Sequence, residues 1–435
     1  MSASFFRFKL SLALLLCAFS LRGQAQDQPI ISDFYTFANQ AWLDSVILPE
    51  NAIVINHVGE LWELIEGQAI GILIDSSHYD LDPEHTYVLT QARNFYSSTK
   101  HLSDDPGKRF SLVQEHLPFV FGAVFAKVTI TPQREARVNQ LIADLKDAYR
   151  AKISNSARID AYHRELLLLK LEKMEFRIGA PPLSLLPPLP PLSKTDFEEN
   201  LRVLQAFSEK RKGAPLYWPT APCEADCYYL IGRNQVVVNA GALFDLDASP
   251  DAPMLYATLG RTLAHEMTHA FDTVGRHYDA SGRRITGLRK LFTGGFLSQV
   301  DWDPVYERLI DQFNHYSLGD SLVVDGRRTL QENLADLGGV EVSFLALNRF
   351  LDKTQPHLTP AEREAELRAF FLAYARYWRQ KANVEFQRTA FQHVHSPAQF
   401  RAIGPVHNLD VFYQLFPIDP DSPWFIPEDQ RVVIW

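Results

Sequence analysis

His265, Glu266 and His269 form an H-E-x-x-H pattern inside residues 261–272. On a helix, positions i and i+4 share a face, so both imidazoles can reach one zinc ion. Glu266 then stands beside the metal, where its carboxylate can take a proton from an attacking water. The bland alternative is a surface helix carrying two solvated histidines. Leu263, Met267 and Phe271 argue for burial instead, because they set apolar residues around the motif.

A catalytic zinc needs a third protein ligand and an open position. A metzincin continuation asks for glycine and then histidine where this chain has Asp272 and Gly275, so that class is excluded. No Glu occurs between His269 and Glu307, so a third ligand about twenty residues on is missing. The next candidate is Glu332, with Asp336 four residues later and Gly338-Gly339 beyond it. On one helical face, Glu332 can bind zinc while Asp336 accepts the other ring N–H of a zinc histidine. The paired glycines let the two helices approach closely.

The elements around these residues are mostly helical. From Pro29 to about Ile178, apolar residues return every three or four positions, as in Val58–Glu66, Ala92–Lys100, Glu135–Ile153 and Ile159–Phe176. Six prolines between Ala180 and Pro191 cannot continue a helix and predict an extended, semi-rigid connector. Residues 226–239 predict a hairpin, with β-prone runs Cys227–Ile231 and Gln235–Val238 around Gly232-Arg233-Asn234. Helical patterning resumes at Pro253 and lasts to about Ala382. The stretch from His395 to Trp435 is punctuated by proline, and its aromatics are expected to pack onto the core.

The chain has 435 residues, 46% hydrophobic and 22% charged, with a net charge of −9. A mildly acidic chain without a basic run offers no electrostatic footprint for nucleic acid. Residues 1–25 have the pattern of a secretory signal. Arg7 and Lys9 precede an apolar run from Leu10 to Leu21, and Gly23 and Ala25 supply the small residues before cleavage. That run is shorter than the about 20 residues that span a bilayer. No stable membrane insertion is expected after cleavage, and the protein is expected to be exported to the periplasm or the extracellular space, with an uncleaved N-terminal anchor as the competing reading. Losing Arg7, Lys9 and Arg22 lowers the basic residues from 43 to 40 against 52 acids, giving −12. Cys223 and Cys227 remain, either as a small local disulfide or as two free thiols.

With these residues in place, the chain resembles the neprilysin and endothelin-converting-enzyme family of zinc metallopeptidases. The H-E-x-x-H motif and the Glu-Asn-x-x-Asp motif of Glu332–Asp336 both match. Asp33–Leu43 resembles the family's N-terminal signature, Phe371–Trp378 its late helix, Val394–Arg401 an active-site segment, and Ile426–Trp435 the ending of bacterial members. The resemblance implies a mainly α fold. It would hold a thermolysin-like zincin (gluzincin) core with a small β-sheet, plus a reduced helical lid lobe. It divides the chain into a signal (1–25), an N-terminal helical region with the lid lobe (27–178), the Pro-rich connector (179–194) and the catalytic domain (195–435).

The resemblance also implies roles. His265, His269 and Glu332 would ligate one zinc ion per chain, with Glu266 as general base and Asp336 orienting a ligand. His395 would stabilise charge on the tetrahedral intermediate, where aimed donors are often the largest catalytic term. Arg401 would hold a substrate carbonyl, with Asp226, Cys227, Tyr228 and Trp378 as further substrate-binding residues. The expected substrate is a peptide or unfolded protein, cut by an exported zinc endopeptidase. A zinc-retaining but inactive peptide binder and an exopeptidase stay open as alternatives. His57, His277 and His407 read as solvated or structural.

Three departures from the family pattern bear on specificity. Asp226 stands where an Asn usually anchors substrate, and an ionised Asp cannot donate the bond that an amide donates. Arg261 and Thr262 stand where apolar residues usually line the pocket after the cleaved bond. The segments that build the lid are shorter than in full-length members, which predicts a more open cleft.

Overall fold

The computed structural model describes residues 30–75, 77–212, 218–286, 303–319 and 321–435. The expected export signal, residues 1–25, lies outside them. Most of the described chain is helical. α1 (Phe34–Ser45) starts on Asp33, whose carboxylate accepts a hydrogen bond from Thr36 N. A short strand β1 (Val54–Asn56) runs into α2 (His57–Ile74), capped by Asn56. α3 (Pro83–Ser98), α4 (Pro106–His116) and α6 (Pro132–Asn155) each place proline behind an Asp82, Asp105 or Thr131 cap. Proline fits there because its φ is preset and its missing N–H has no helical partner at that end. Between them lies α5 (Pro118–Thr129), buried along most of its length. α7 (Ala161–Glu172) follows α6.

The helical patterning expected to run to Phe176 stops at Glu172, and Glu175–Gly179 is instead a strand, β2. The expected hairpin forms from β3 (Cys227–Leu230) and β4 (Gln235–Asn239), with Asn234 in the left-handed region at φ 51°. β4 lies in the middle of the sheet, antiparallel to β3 and parallel to β2. β3 is therefore an edge strand, and its outer backbone groups have no strand partner among the described residues.

After α8 (Phe197–Lys212) and the hairpin come α9 (Phe244–Ala248) and α10 (Ala252–Leu255). A π-helical turn (Tyr256–Gly260) joins α10 directly to α11 (Arg261–Thr268). α12 (Asp303–Asn314), α13 (Leu330–Thr354) and α14 (Pro360–Tyr377) complete the long helices. β5 (Ser317–Leu318) and β6 (Leu322–Val323) form a small hairpin, and β7 (Gln380–Ala382) pairs antiparallel with β1. Short helices α15 (Val384–Ala390), α16 (Ala398–Ile403) and α17 (Asp410–Leu415) lead into the C-terminal segment. There Phe400, Phe412, Phe416 and Trp435 are buried, as the aromatic content suggested. No described helix is long and apolar enough to cross a membrane.

Two apolar clusters organise the chain. One collects α1, α6, α7, α11, α13, α14 and the C-terminal aromatics. The other collects α2–α5, α8 and the Pro-rich run, and reaches Val237 and Phe244 beside the hairpin. Thus α6 and α7, which precede residue 178, pack with the H-E-x-x-H helix and not with the lobe formed by α2–α5. The Pro-rich run is also more than a spacer. Leu183, Leu186, Leu189 and Leu192 are all buried against the lobe. Gln91 Oε1 accepts from Leu192 N at 2.7 Å, Tyr87 Oη donates to Leu189 O at 3.1 Å and Asn94 Nδ2 donates to Leu192 O at 3.0 Å.

Candidate active site

The π-turn, α11 and α13 bring the chemistry together. Leu263, Ala264 and Met267 are fully buried on α11, so the helix lies inside the cluster with its histidines at the rim. α13 crosses close to it through Gly338 and Gly339. A Cβ at Gly338 would stand 2.6 Å from Thr268 Oγ1, and one at Gly339 would stand 3.0 Å from Arg261 O. Only glycine allows that approach, as the paired glycines suggested. From the far side, Tyr149 of α6 donates to Ala264 O at 2.7 Å and pairs with Thr268 Oγ1. Burial pushes the Tyr149 hydroxyl far above its usual range.

His265 Nε2 and His269 Nε2 are 3.2 Å apart. Glu332 Oε2 lies 3.2 Å from the first and 3.5 Å from the second. Ligand atoms held about 2.0–2.2 Å from a tetrahedral zinc lie about 3.3–3.6 Å from one another, so this triangle has the size a zinc ion needs. The donor chemistry agrees. Nδ1 of His265 is 2.8 Å from Asp336 Oδ1, and Nδ1 of His269 is 2.7 Å from Asp272 Oδ2. A carboxylate on each Nδ1 places the ring proton there and leaves Nε2 as a lone-pair donor. Glu332 Oε2 is buried without a hydrogen-bond partner among the described residues, although three imidazole nitrogens surround it. Among the described residues, two overlapping groups could hold a metal ion, His265–Glu266–His269 and His265–Glu332–His395.

The electrostatics follow from burial and pairing. Burial pushes the Glu266 carboxyl above the usual carboxylate range, while the neighbouring His265 and His269 pull it back. Its Oε1 stands 4.0 Å from His265 Nε2. Burial would also raise Glu332 and Asp336, but imidazoles beside Glu332 and Arg401 and His265 beside Asp336 hold both far below that range. His269 is pulled down by burial, yet its bond to Asp272 and the Glu332 carboxylate beside it carry it well above its ordinary value.

His395 joins the cluster, with Nε2 2.9 Å from Glu332 Oε2. Its segment is tied to α13 by Ser396 Oγ, which donates to Asn333 Oδ1 at 2.7 Å. Arg401 forks onto Asp336, Nε to Oδ2 and Nη2 to Oδ1, each at 2.7 Å. Asp336 therefore locks His265 and Arg401 with one side chain. Trp378 stands between two guanidiniums, 4.1 Å from Arg401 and 4.6 Å from Arg261. Asp226 immediately precedes the β3 edge. Its Oδ1 accepts from Cys227 N at 3.0 Å, and its Oδ2 accepts from Tyr228 Oη at 2.5 Å. Cys227 is buried, so the edge presents its backbone and not its thiol. Cys223 and Cys227 are both free thiols, packed in different clusters and pushed up by burial.

Sequence reasoning missed two supports. Asp272 entered only as the residue that excludes a metzincin, yet it is fully buried and holds His269. Its position three residues after the ligand, at the end of the helix, was the available signal. Lys170 is the other. Its buried Nζ donates to Ala270 O, Gly275 O and Tyr278 O at 2.7–2.8 Å, fastening the turn that carries Asp272. Burial pulls this ammonium down to about 7 against the nearby Asp272 and Asp279.

Comparison with known proteins agrees with this geometry. Residues 226–432 and residues 102–181 match two profiles described as Peptidase family M13. Endothelin-converting enzyme-like 1 of Homo sapiens is 27% identical over 330 residues, which are 71% of this chain and 41% of that protein. Endothelin-converting enzyme 1 of Homo sapiens is 27% identical over 341 residues, 73% of this chain and 43% of that protein. The chain thus spans less than half the length of these relatives. The zinc metalloprotease ZMP1 of Mycobacterium tuberculosis, solved in complex with an inhibitor, aligns with a TM-score of 0.62 at 25% identity. The alignment covers 86% of this chain and 56% of that one. PepO from Lactobacillus rhamnosis HN001 shares the fold with a TM-score of 0.60 at 23% identity, covering 77% and 52%.

Proposed function

Because the chain belongs to peptidase family M13, we propose that it is an exported zinc-dependent endopeptidase acting on peptides or unfolded proteins. The observation that carries this reading is the triangle of His265 Nε2, His269 Nε2 and Glu332 Oε2, with sides of 3.2, 3.2 and 3.5 Å. A zinc ion held there supplies Lewis acidity at the scissile carbonyl and makes water a usable nucleophile at neutral pH. Glu266 takes the proton of that water and returns it to the leaving amine. His395 donates toward the oxygen that becomes negative. Arg401, held rigidly by Asp336, directs its remaining nitrogen toward a substrate carbonyl. The β3 edge offers backbone hydrogen bonds to an extended peptide, as in strand addition. Asp226 beside that edge favours a substrate with a cationic group nearby. The shortened lid segments favour entry of longer peptides.

The test is to incubate the zinc-loaded protein with a diverse peptide library and read cleavage sites by mass spectrometry. Internal cuts are expected, and Glu266→Gln is expected to keep zinc while losing turnover. Cleavage confined to chain ends would turn the reading to an exopeptidase. Full activity in Glu266→Gln would sink the mechanism, and zinc binding with no cleavage would leave an inactive peptide binder.

A further inference from the structure

Arg261 opens α11 one turn before His265, so its side chain leaves the helix on the face that carries this ligand. It is 3% exposed. Its guanidinium lies between Tyr377 and Trp378, 4.5 and 4.6 Å from the ring centroids. Nη1 is 4.0 Å from Asp336 Oδ1, beyond hydrogen-bond reach. That carboxylate is already engaged, since both its oxygens accept from Arg401 and Oδ1 also faces His265. Nε and Nη2 of Arg261 are buried with no hydrogen-bond partner among the described residues. Two guanidiniums therefore share one acid, and only one of them is satisfied.

A buried cation normally finds a counter-charge and acceptors for its N–H groups. The faces of Tyr377 and Trp378 supply cation–π attraction but no acceptor lone pairs. The open donors are informative. Nε and Nη2 form the same edge that Arg401 presents to Asp336, an edge that pairs bidentately with a carboxylate. Tyr377 and Trp378, the two rings that flank this guanidinium, are only partly buried.

We propose that Arg261 is a specificity-determining receptor for a carboxylate of the bound peptide, beside the metal cluster. This rests on the peptidase reading and narrows it to peptides that present a carboxylate at that one position beside the metal cluster, apart from the Asp226 edge. The carboxylate could come from an Asp or Glu side chain or from the peptide's own C-terminus, and the test separates the two.

Zinc-loaded full-length Glu266→Gln protein is titrated by calorimetry with one extended peptide carrying Glu or Gln at each position in turn. Each peptide is made with a free and with an amidated C-terminus. One Glu peptide is expected to bind at least ten-fold tighter than its Gln twin, and Arg261→Met in the same background should reduce that ratio to about one. Arg261→Lys should retain part of it. A ratio that follows the free against the amidated terminus assigns the receptor to the α-carboxylate. If every acid–amide pair binds within two-fold, or if Arg261→Met keeps the ratio, Arg261 is a structural cation and the proposal fails. The pairs measured with Arg261 intact decide this even if the variants fold poorly. Cleavage of the same peptides by the unsubstituted protein is read separately. Its absence alongside a preserved binding ratio would overturn the peptidase reading and leave the receptor standing.

Discussion

His269 Nδ1 lies 2.7 Å from Asp272 Oδ2, so the second histidine of the H-E-x-x-H motif is oriented by the turn that ends its own helix. Oδ1 of the same carboxylate accepts from Val274 N and Gly275 N at 2.8 and 2.7 Å. In Asp272→Asn, the amide oxygen keeps those backbone bonds and turns an NH2 group toward Nδ1. The ring then loses its acceptor and its tautomer preference. Zinc affinity should fall about 10–100-fold, measured by competition with a chromophoric chelator. Unchanged affinity would mean that Asp272 only shapes the turn.

Gly338 is the tightest point between α11 and α13. Gly338→Ala puts a methyl group 2.6 Å from Thr268 Oγ1 and 2.7 Å from its Cγ2. The helices must separate, at a cost of about 1–3 kcal/mol, and Glu332 moves away from the histidines. Urea unfolding should report the stability loss and chelator competition the weakened zinc site. Adding Thr268→Ala removes the atoms in the way and should restore part of both. Two additive losses in the double variant would remove the clash as the cause.

The candidate metal site was legible because helix geometry converts spacing directly into proximity, for His265 with His269 and for Glu332 with Asp336. β2 was hidden. It pairs in parallel with β4, whose residues lie about sixty positions further along, and its own pattern continues the apolar rhythm of α7. The Pro-rich run carried an unread signal. Leu183, Leu186, Leu189 and Leu192 recur every third residue, the repeat of a polyproline helix, and all four are buried. The Arg261–Trp378–Arg401 stack needed tertiary structure, since three separate segments supply it. Composition hid Lys170 for the same reason, because its carbonyl partners follow it by about a hundred residues.

Lys170 offers a direct stability test. Lys170→Met keeps the stem's apolar packing and removes the donor from three carbonyls around the Asp272 turn. Leaving buried acceptors unmatched costs about 1–3 kcal/mol each, and removing a buried charge returns part of that. A net loss of about 2–4 kcal/mol in urea unfolding is expected. Amide hydrogen exchange should rise selectively in residues 270–286. Wild-type stability in this variant would show that the carbonyls find other donors.

His407 supplies a pH dependence outside the candidate metal cluster. Burial pulls its imidazole down to about 4, against the bond from Nδ1 to Trp424 O and the charge of Asp33, with Arg431 lowering it further. The unfolded ring titrates near about 6.5. Between these values the unfolded chain binds a proton and the folded chain does not. Stability should therefore fall as pH drops from about 6.5 to about 4, and this contribution levels off below that. The ring packs against Phe412 and Tyr413, 5.2 and 5.9 Å away, so His407→Phe preserves its volume. Other groups titrate in the same range, and the difference between the two proteins isolates this one. Between pH 7 and 4.5, wild type should lose about 2–3 kcal/mol more than His407→Phe in urea unfolding. Equal losses in both would mean that the folded ring takes up its proton as readily as the unfolded one.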